Sequence, residues 1–118
     1  MAEPVYVYKV VTEQAFAESW AQGRFEGSAD DARDGFIHLS AAHQLEATLA
    51  AHFAGQEGLV LVALHAGRLG PALKWEPSRG GALFPHLYAP LDLAAVLWVE
   101  PLQFGPDGRH ILPEGVCA

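Results

Sequence analysis

The chain has a single cysteine, Cys117, so it cannot close an internal disulfide, and nothing implies an oxidising compartment. Cys117 also lacks an evident neighbouring base, which makes it a poor nucleophile. Clusters of lysine and arginine are missing as well. Seven basic residues face fourteen acidic ones for a net charge of −7, so there is no footprint for a phosphate backbone and nucleic acid is not an expected partner. Long apolar runs are absent: residues 59–64 and 93–99 fall far short of the roughly 20 needed to span a bilayer. The opening MAEPVYVYKVV has an early acid and no basic start before an apolar stretch, so it does not read as a signal peptide. The expectation is a cytoplasmic protein with no membrane partner. There is no Walker A loop, no GxGxxG and no GxSxG elbow. No HExxH or Cys–His spacing occurs either, so no metal is expected.

What is present is a 118-residue chain, 51% hydrophobic, which suits one domain with a single core. Residues 5–11 alternate as a strand. Thr12 is placed to cap a helix containing Phe16 and Trp20, and Gly23 stops it. Residues 25–34 (FEGSADDARD) show no apolar period and suggest a surface loop. A short strand at 36–39 leads to Ser40, the expected N-cap of a helix with Leu45, Leu49 and Phe53 in step. Residues 59–64 (LVLVAL) suit a strand buried on both faces. Residues 73–76 and 83–88 look extended around the turn SRGG. Asp92 suits the cap of one helical turn, residues 94–102 form a last strand, and the tail from Gly105 reads as irregular. The fold class is α+β: a small mixed or antiparallel sheet of about six strands with two helices in the N-terminal half.

Three segments carry chemistry. In GFIHLS (35–40), strand alternation sets Phe36, His38 and Ser40 against Ile37 and Leu39. An imidazole beside a helix N-terminus suits a phosphate or carboxylate, with His43 able to assist. In residues 74–76, Lys74 and Glu76 share a face and Trp75 takes the other. In residues 84–88, Phe84, His86 and Tyr88 form a row able to stack on a planar ring. Pro85 removes a ladder donor there, which points to an edge strand or a bulge. Plain packing remains the alternative for each segment: a capped helix, a surface ion pair and a satisfied histidine.

DGFIHLS (34–40), LKWE (73–76) and FPHLYAPL (84–91), with VYKVV before them, resemble the bacterial family known as domain of unknown function 952, over about residues 5–99. The resemblance implies an ADP-ribosyltransferase-like fold. GFIHLS is also similar to the His-Leu-Ser/Ala strand of tRNA 2′-phosphotransferases. Carried over, His38 takes the role that grips the ribose, Tyr88 or Trp75 stacks on nicotinamide, and a glutamate stabilises the ribosyl cation. Glu76 precedes Tyr88, whereas the transferases run His, Tyr, Glu; Glu100 would restore that order.

The expected activity is binding of NAD or an ADP-ribosyl compound, NAD being a substrate, and transfer or cleavage of its ribosyl bond. His38, Glu76 and His86 are the candidate catalytic residues, and Ser40, Lys74, Trp75 and Tyr88 the candidate ligand-binding ones. The alternative is a non-catalytic small-molecule binding module that keeps the pocket. Phosphotransfer or hydrolysis on RNA, a third reading, is opposed by the charge. A monomer or weak homodimer is expected.

Overall fold

The computed structural model describes residues 5–116, and Cys117 lies outside them. Strand β1 (Tyr6–Thr12) runs into helix α1 (Glu13–Gln22). The Thr12 hydroxyl accepts the Ala15 N–H at 3.1 Å, and Gly23 closes the helix in a left-handed conformation, φ 85°. Both ends match the sequence reading.

The stretch expected to be a surface loop is instead β2 (Arg24–Phe25) followed by helix α2 (Ala29–Asp34). Ser28 and Asp31 make a reciprocal capping box. The Asp31 N–H donates to the Ser28 hydroxyl at 3.4 Å, and the Ser28 N–H donates to Asp31 Oδ2 at 2.9 Å. A helix of six residues that turns an acid inward has no apolar period to detect.

Strand β3 (Ile37–His38) follows. The chain makes a 3-10 turn (Ala42–Gln44) before helix α3 (Leu45–His52), and Ser40 does not cap it. The Ser40 backbone is already paired both ways with Tyr8, at 2.8 and 2.9 Å, and its buried hydroxyl lies 2.9 Å from that of Thr48. The Gln44 amide oxygen accepts the free Ala41 N–H in its place, at 2.9 Å.

Strand β4 (Leu59–His65) is buried on both faces, as its composition implied. Helix α4 (Ala66–Leu69) connects to β5 (Leu73–Ser78), a turn and β6 (Ala82–Leu87). Then come β7 (Leu91–Asp92), a 3-10 turn with the Ala94 N–H donating to Asp92 Oδ1 at 2.9 Å, and β8 (Val96–Pro101). The tail, expected to be irregular, contains a small pairing of β9 (Gln103–Phe104) with β10 (His110–Ile111).

Among the described residues the architecture is mixed α and β with antiparallel strand pairs and four helices. In place of one six-stranded sheet there are two of three strands, ordered β1-β4-β8 and β3-β6-β5, with shorter pairs beside them. The Tyr8–Ser40 bridge couples the two sheets. Val7, Val11, Val60, Val62 and Leu64 of the first sheet meet Ile37, Leu39 and Leu87 of the second in one core. On the other side of the first sheet, Tyr8, Leu59 and Leu61 pack on Leu45 and Leu49 of α3. Each such aliphatic side chain contributes about 1.5–3 kcal/mol by leaving water. Pro85, expected at an edge or bulge, sits in the central strand β6. That strand tolerates a lost donor because β3 spans only two residues; the Pro85 carbonyl still accepts the Leu39 N–H at 3.0 Å.

One ion pair lies inside this apolar frame. Lys9 follows the Val7/Val11 face of β1 and is 6% exposed, and its ammonium reaches Asp31 Oδ2 at 2.9 Å and Oδ1 at 3.2 Å. It also donates to the His38 carbonyl at 3.1 Å. The pair thus ties α2 to β1 and β3. Removing one partner strands the other charge out of water, which costs about 3–5 kcal/mol. Urea unfolding of Lys9→Met and of Asp31→Asn is expected to show a loss of that size in each. The double variant Lys9→Met/Asp31→Leu should recover most of it, and strictly additive losses would contradict the pairing.

Candidate functional site

The second sheet has one face in the core and one outside it. Register pairs His38 with His86, Lys74 with His86 and Glu76 with Phe84. These five side chains therefore share the outer face, while Ile37, Leu73, Trp75, Pro85 and Leu87 take the inner one.

At the centre of the outer face is Phe36. Its ring stacks on His86 with centroids 4.1 Å apart and planes at 25°. It also contacts His38 at 4.6 Å and Tyr88 at 5.2 Å. The two imidazoles are 5.8 Å apart, edge to face. Phe36 thereby fills the gap between them and fixes both rings.

Each histidine is held by carboxylates. His86 Nδ1 lies 2.9 Å from Glu76 Oε1, and the same oxygen accepts the Tyr88 hydroxyl at 2.7 Å. These bonds from Tyr88 and then His86 hold the Glu76 carboxyl below its ordinary range, with Lys74 adding a smaller favourable field. The same contact raises the Tyr88 phenol. His38 Nδ1 lies 2.6 Å from Asp31 Oδ1, and His38 Nε2 lies 2.9 Å from Asp34 Oδ2. Both nitrogens must carry a proton for both contacts to be hydrogen bonds. The two acids stand three residues apart on α2, so one turn of helix grips the ring from two sides.

Asp31 is the deeper anchor, at 2% exposure. Burial alone would raise its carboxyl. Lys9, the His38 side chain and the Ser28 N–H outweigh that and leave it below the ordinary value. For Lys9, burial is the dominant influence and lowers the ammonium, opposed by Asp31. Asp34 is exposed; its hydrogen bond from Arg33 leads in holding it low.

The structure thus brings His38, His86, Glu76 and Tyr88 onto one face. Ser40 is not among them, because its hydroxyl is buried against Thr48. Trp75 faces the core instead. Lys74 is exposed on the edge strand beside the cluster. Glu100 stands on β8 in the other sheet and lines a different groove with Trp98 and Ile111. Lys74, Trp75 and His43 instead line an open groove of about 840 Å³ with Gln44, Leu73, Ala82 and Leu83. Among the described residues, no group of three or more His, Cys, Asp or Glu side chains is disposed to hold a metal ion.

Lys9, Asp31, Asp34 and Phe36 are the members that site reasoning from sequence missed. A lysine alternating with valines in VYVYKVV was a usable signal, since an inward lysine demands a buried acid. Asp31 had only the Ser28-x-x-Asp31 spacing to mark it out from Asp30 and Asp34.

A family model for proteins of unknown function, DUF952, matches residues 10–99, a span holding Asp31, His38, Glu76, His86 and Tyr88. The chain belongs to the DUF952 family. The match ends before the β9–β10 pairing, and Lys9 lies one residue ahead of its start. The chain is similar to protein CC0527 from Caulobacter crescentus, with 50% identity to its crystal structure, a TM-score of 0.87, and coverage of 91% of this chain and 94% of that one. The solution structure of the same protein gives a TM-score of 0.81 over 90% and 91% of the two chains. None of the curated proteins matches the chain. The likeness to CC0527 extends over nearly the whole length of both chains.

The Glu76 contacts lead to a titration result. A carboxylate held low by two donors stays ionised to lower pH, so Tyr88→Phe should move the Glu76 midpoint up toward its usual value. Following the Glu76 carboxyl carbon by NMR from pH 2 to 7 measures this. An unchanged midpoint would show that the Tyr88 bond does not form.

Proposed function

We propose that the outer face of the β3-β6-β5 sheet binds NAD or another ADP-ribosyl compound, and that the protein transfers or hydrolyses its ribosyl bond in the manner of ADP-ribosyltransferase-fold proteins. The observation that carries this reading is the Glu76 carboxylate, locked by Tyr88 and His86 on the same face as His38. When the C–N glycosidic bond breaks, its electron pair leaves with the base and positive charge develops on the ribose. A carboxylate already fixed in place and ionised stabilises that charge without reorganising. His38, kept in place by Asp31 at Nδ1, meets a ribose hydroxyl when Nε2 exchanges the exposed Asp34 for the ligand. Phe36 and Tyr88 offer aromatic surface to the base, and exposed Lys74 is within the same strand pair for a phosphate. Water or an acceptor hydroxyl then adds to the ribosyl carbon and gives up its proton.

One observation favours a second reading, a binding module without turnover. Both nitrogens of His38 are occupied inside the protein, by Asp31 and Asp34. A ring so engaged positions a ligand better than it moves a proton.

Calorimetry and turnover assays with NAD and ADP-ribose separate the readings. For the enzyme, Glu76→Gln should lower turnover by about 10²-fold or more while binding changes little. For the module, the wild type binds and releases no free base. No heat and no turnover at millimolar ligand would overturn both.

A further inference from the structure

The groove beside the β5–β6 hairpin is chemically unlike the rest of the surface. Its apolar wall is made of Leu73, Trp75 and Leu83, and Leu83 is 53% exposed. Lys74 and His43 line the same groove, and among the described residues no carboxylate does. In a chain of net charge −7, that is a local reversal of sign. Among the described basic side chains elsewhere, Lys9 pairs with Asp31, Arg24 with Glu26, Arg33 with Asp30 and Asp34, and Arg109 with Asp107, while Arg68 stands on α4 and does not line this groove. The second groove makes the contrast sharper, since it is lined by Glu100 and Glu114 and by no basic residue.

The groove is also held in shape from both sides. The Gln44 amide donates to the Leu83 carbonyl at 2.7 Å while its oxygen takes the Ala41 N–H, so the turn carrying His43 is fastened to β6. Trp75 is packed against the core on one side and lines the groove on another. A wall fixed before binding lowers the ordering cost of a ligand.

From this we infer a second ligand site, which meets the His38–Glu76 face at Lys74 and extends away from it along Leu73, Trp75 and Leu83, for a small soluble anion with an apolar or aromatic body. The ring or chain lies along Leu73, Trp75 and Leu83, and the carboxylate or phosphate meets Lys74 and His43. The site needs no transfer chemistry and does not depend on the ribosyl reading. Glu76 shares the face of Lys74 but does not line the groove, so an organic cation meets no carboxylate along the groove's described wall.

The test uses a matched pair of probes, 3-phenylpropionate and 3-phenylpropylamine, with phenyl phosphate as a second anion. Amide shifts of the ¹⁵N-labelled full chain are followed as each is added. Both anions should perturb His43, Lys74, Trp75 and Leu83 with saturation at millimolar concentration, and the amine should not. Lys74→Gln should weaken the anions by about fivefold, the size expected of a half-exposed charge contact, with the amide spectrum elsewhere showing an intact fold. Leu83→Ser, at an exposed position, should weaken the phenyl probes but not their preference for negative charge. Equal binding of the amine would overturn the proposal. So would shifts centred elsewhere, no shift at 10-fold higher ligand, or binding only to vesicles of anionic phospholipid.

Discussion

The buried pair of Lys9 and Asp31 is the interaction on which the other parts depend. It joins three elements at one buried point: β1 of the first sheet, helix α2, and the strand that carries His38. Asp31 alone accepts from Lys9, the Ser28 N–H, the His38 N–H and the His38 ring. A carboxylate so fully satisfied is tolerable in the core, whereas one lacking any of these partners would not be. The arrangement carries a fixed cost in desolvation, so its value lies in where it places things. It sets the helix whose other acid, Asp34, completes the grip on His38.

Seen from the outer sheet face, the same economy recurs at smaller scale. Glu76 is half-buried, and two donors converge on one of its oxygens. Phe36 is the common neighbour of His38, His86 and Tyr88 and keeps their rings from rotating freely. The cluster is therefore ordered from two directions, by a buried ion pair below and by a stacked aromatic between. Such support is what distinguishes a positioned polar group from a merely exposed one.

The sequence made the strands legible because their signals are local. Alternation in LKWE and FPHLY placed Glu76, His86 and Tyr88 on the correct faces, and the LVLVAL run announced a strand buried twice. Thr12 and Gly23 bounded α1 for equally local reasons. The failures were of a different kind. Helix α2 hid because it is short and its inward residue is an aspartate. Ser40 looked like a cap, but its backbone had a partner 32 residues away in Tyr8, which no local rule detects. Splitting of the strands into two sheets, and the separation of Ser40 from the cluster, follow from the same long-range pairings, whereas Trp75 is turned away by the local alternation that sets it opposite Lys74 and Glu76. The DUF952 membership and the likeness to CC0527 fix the family and the fold they share, while the chemistry rests on the residues themselves.

The dependence of the site on the core ion pair is open to one direct measurement. In Lys9→Met/Asp31→Leu the charges are replaced by apolar groups of similar size, so the chain should remain folded. The ring nitrogens of His38, read by long-range ¹H–¹⁵N NMR, report whether its carboxylate grip survives. The account requires a large change in the His38 Nδ1 resonance and a mobile ring, with the His86 signals nearly unmoved because Glu76 and Tyr88 still hold them. A folded double variant whose His38 signals match the wild type would contradict it.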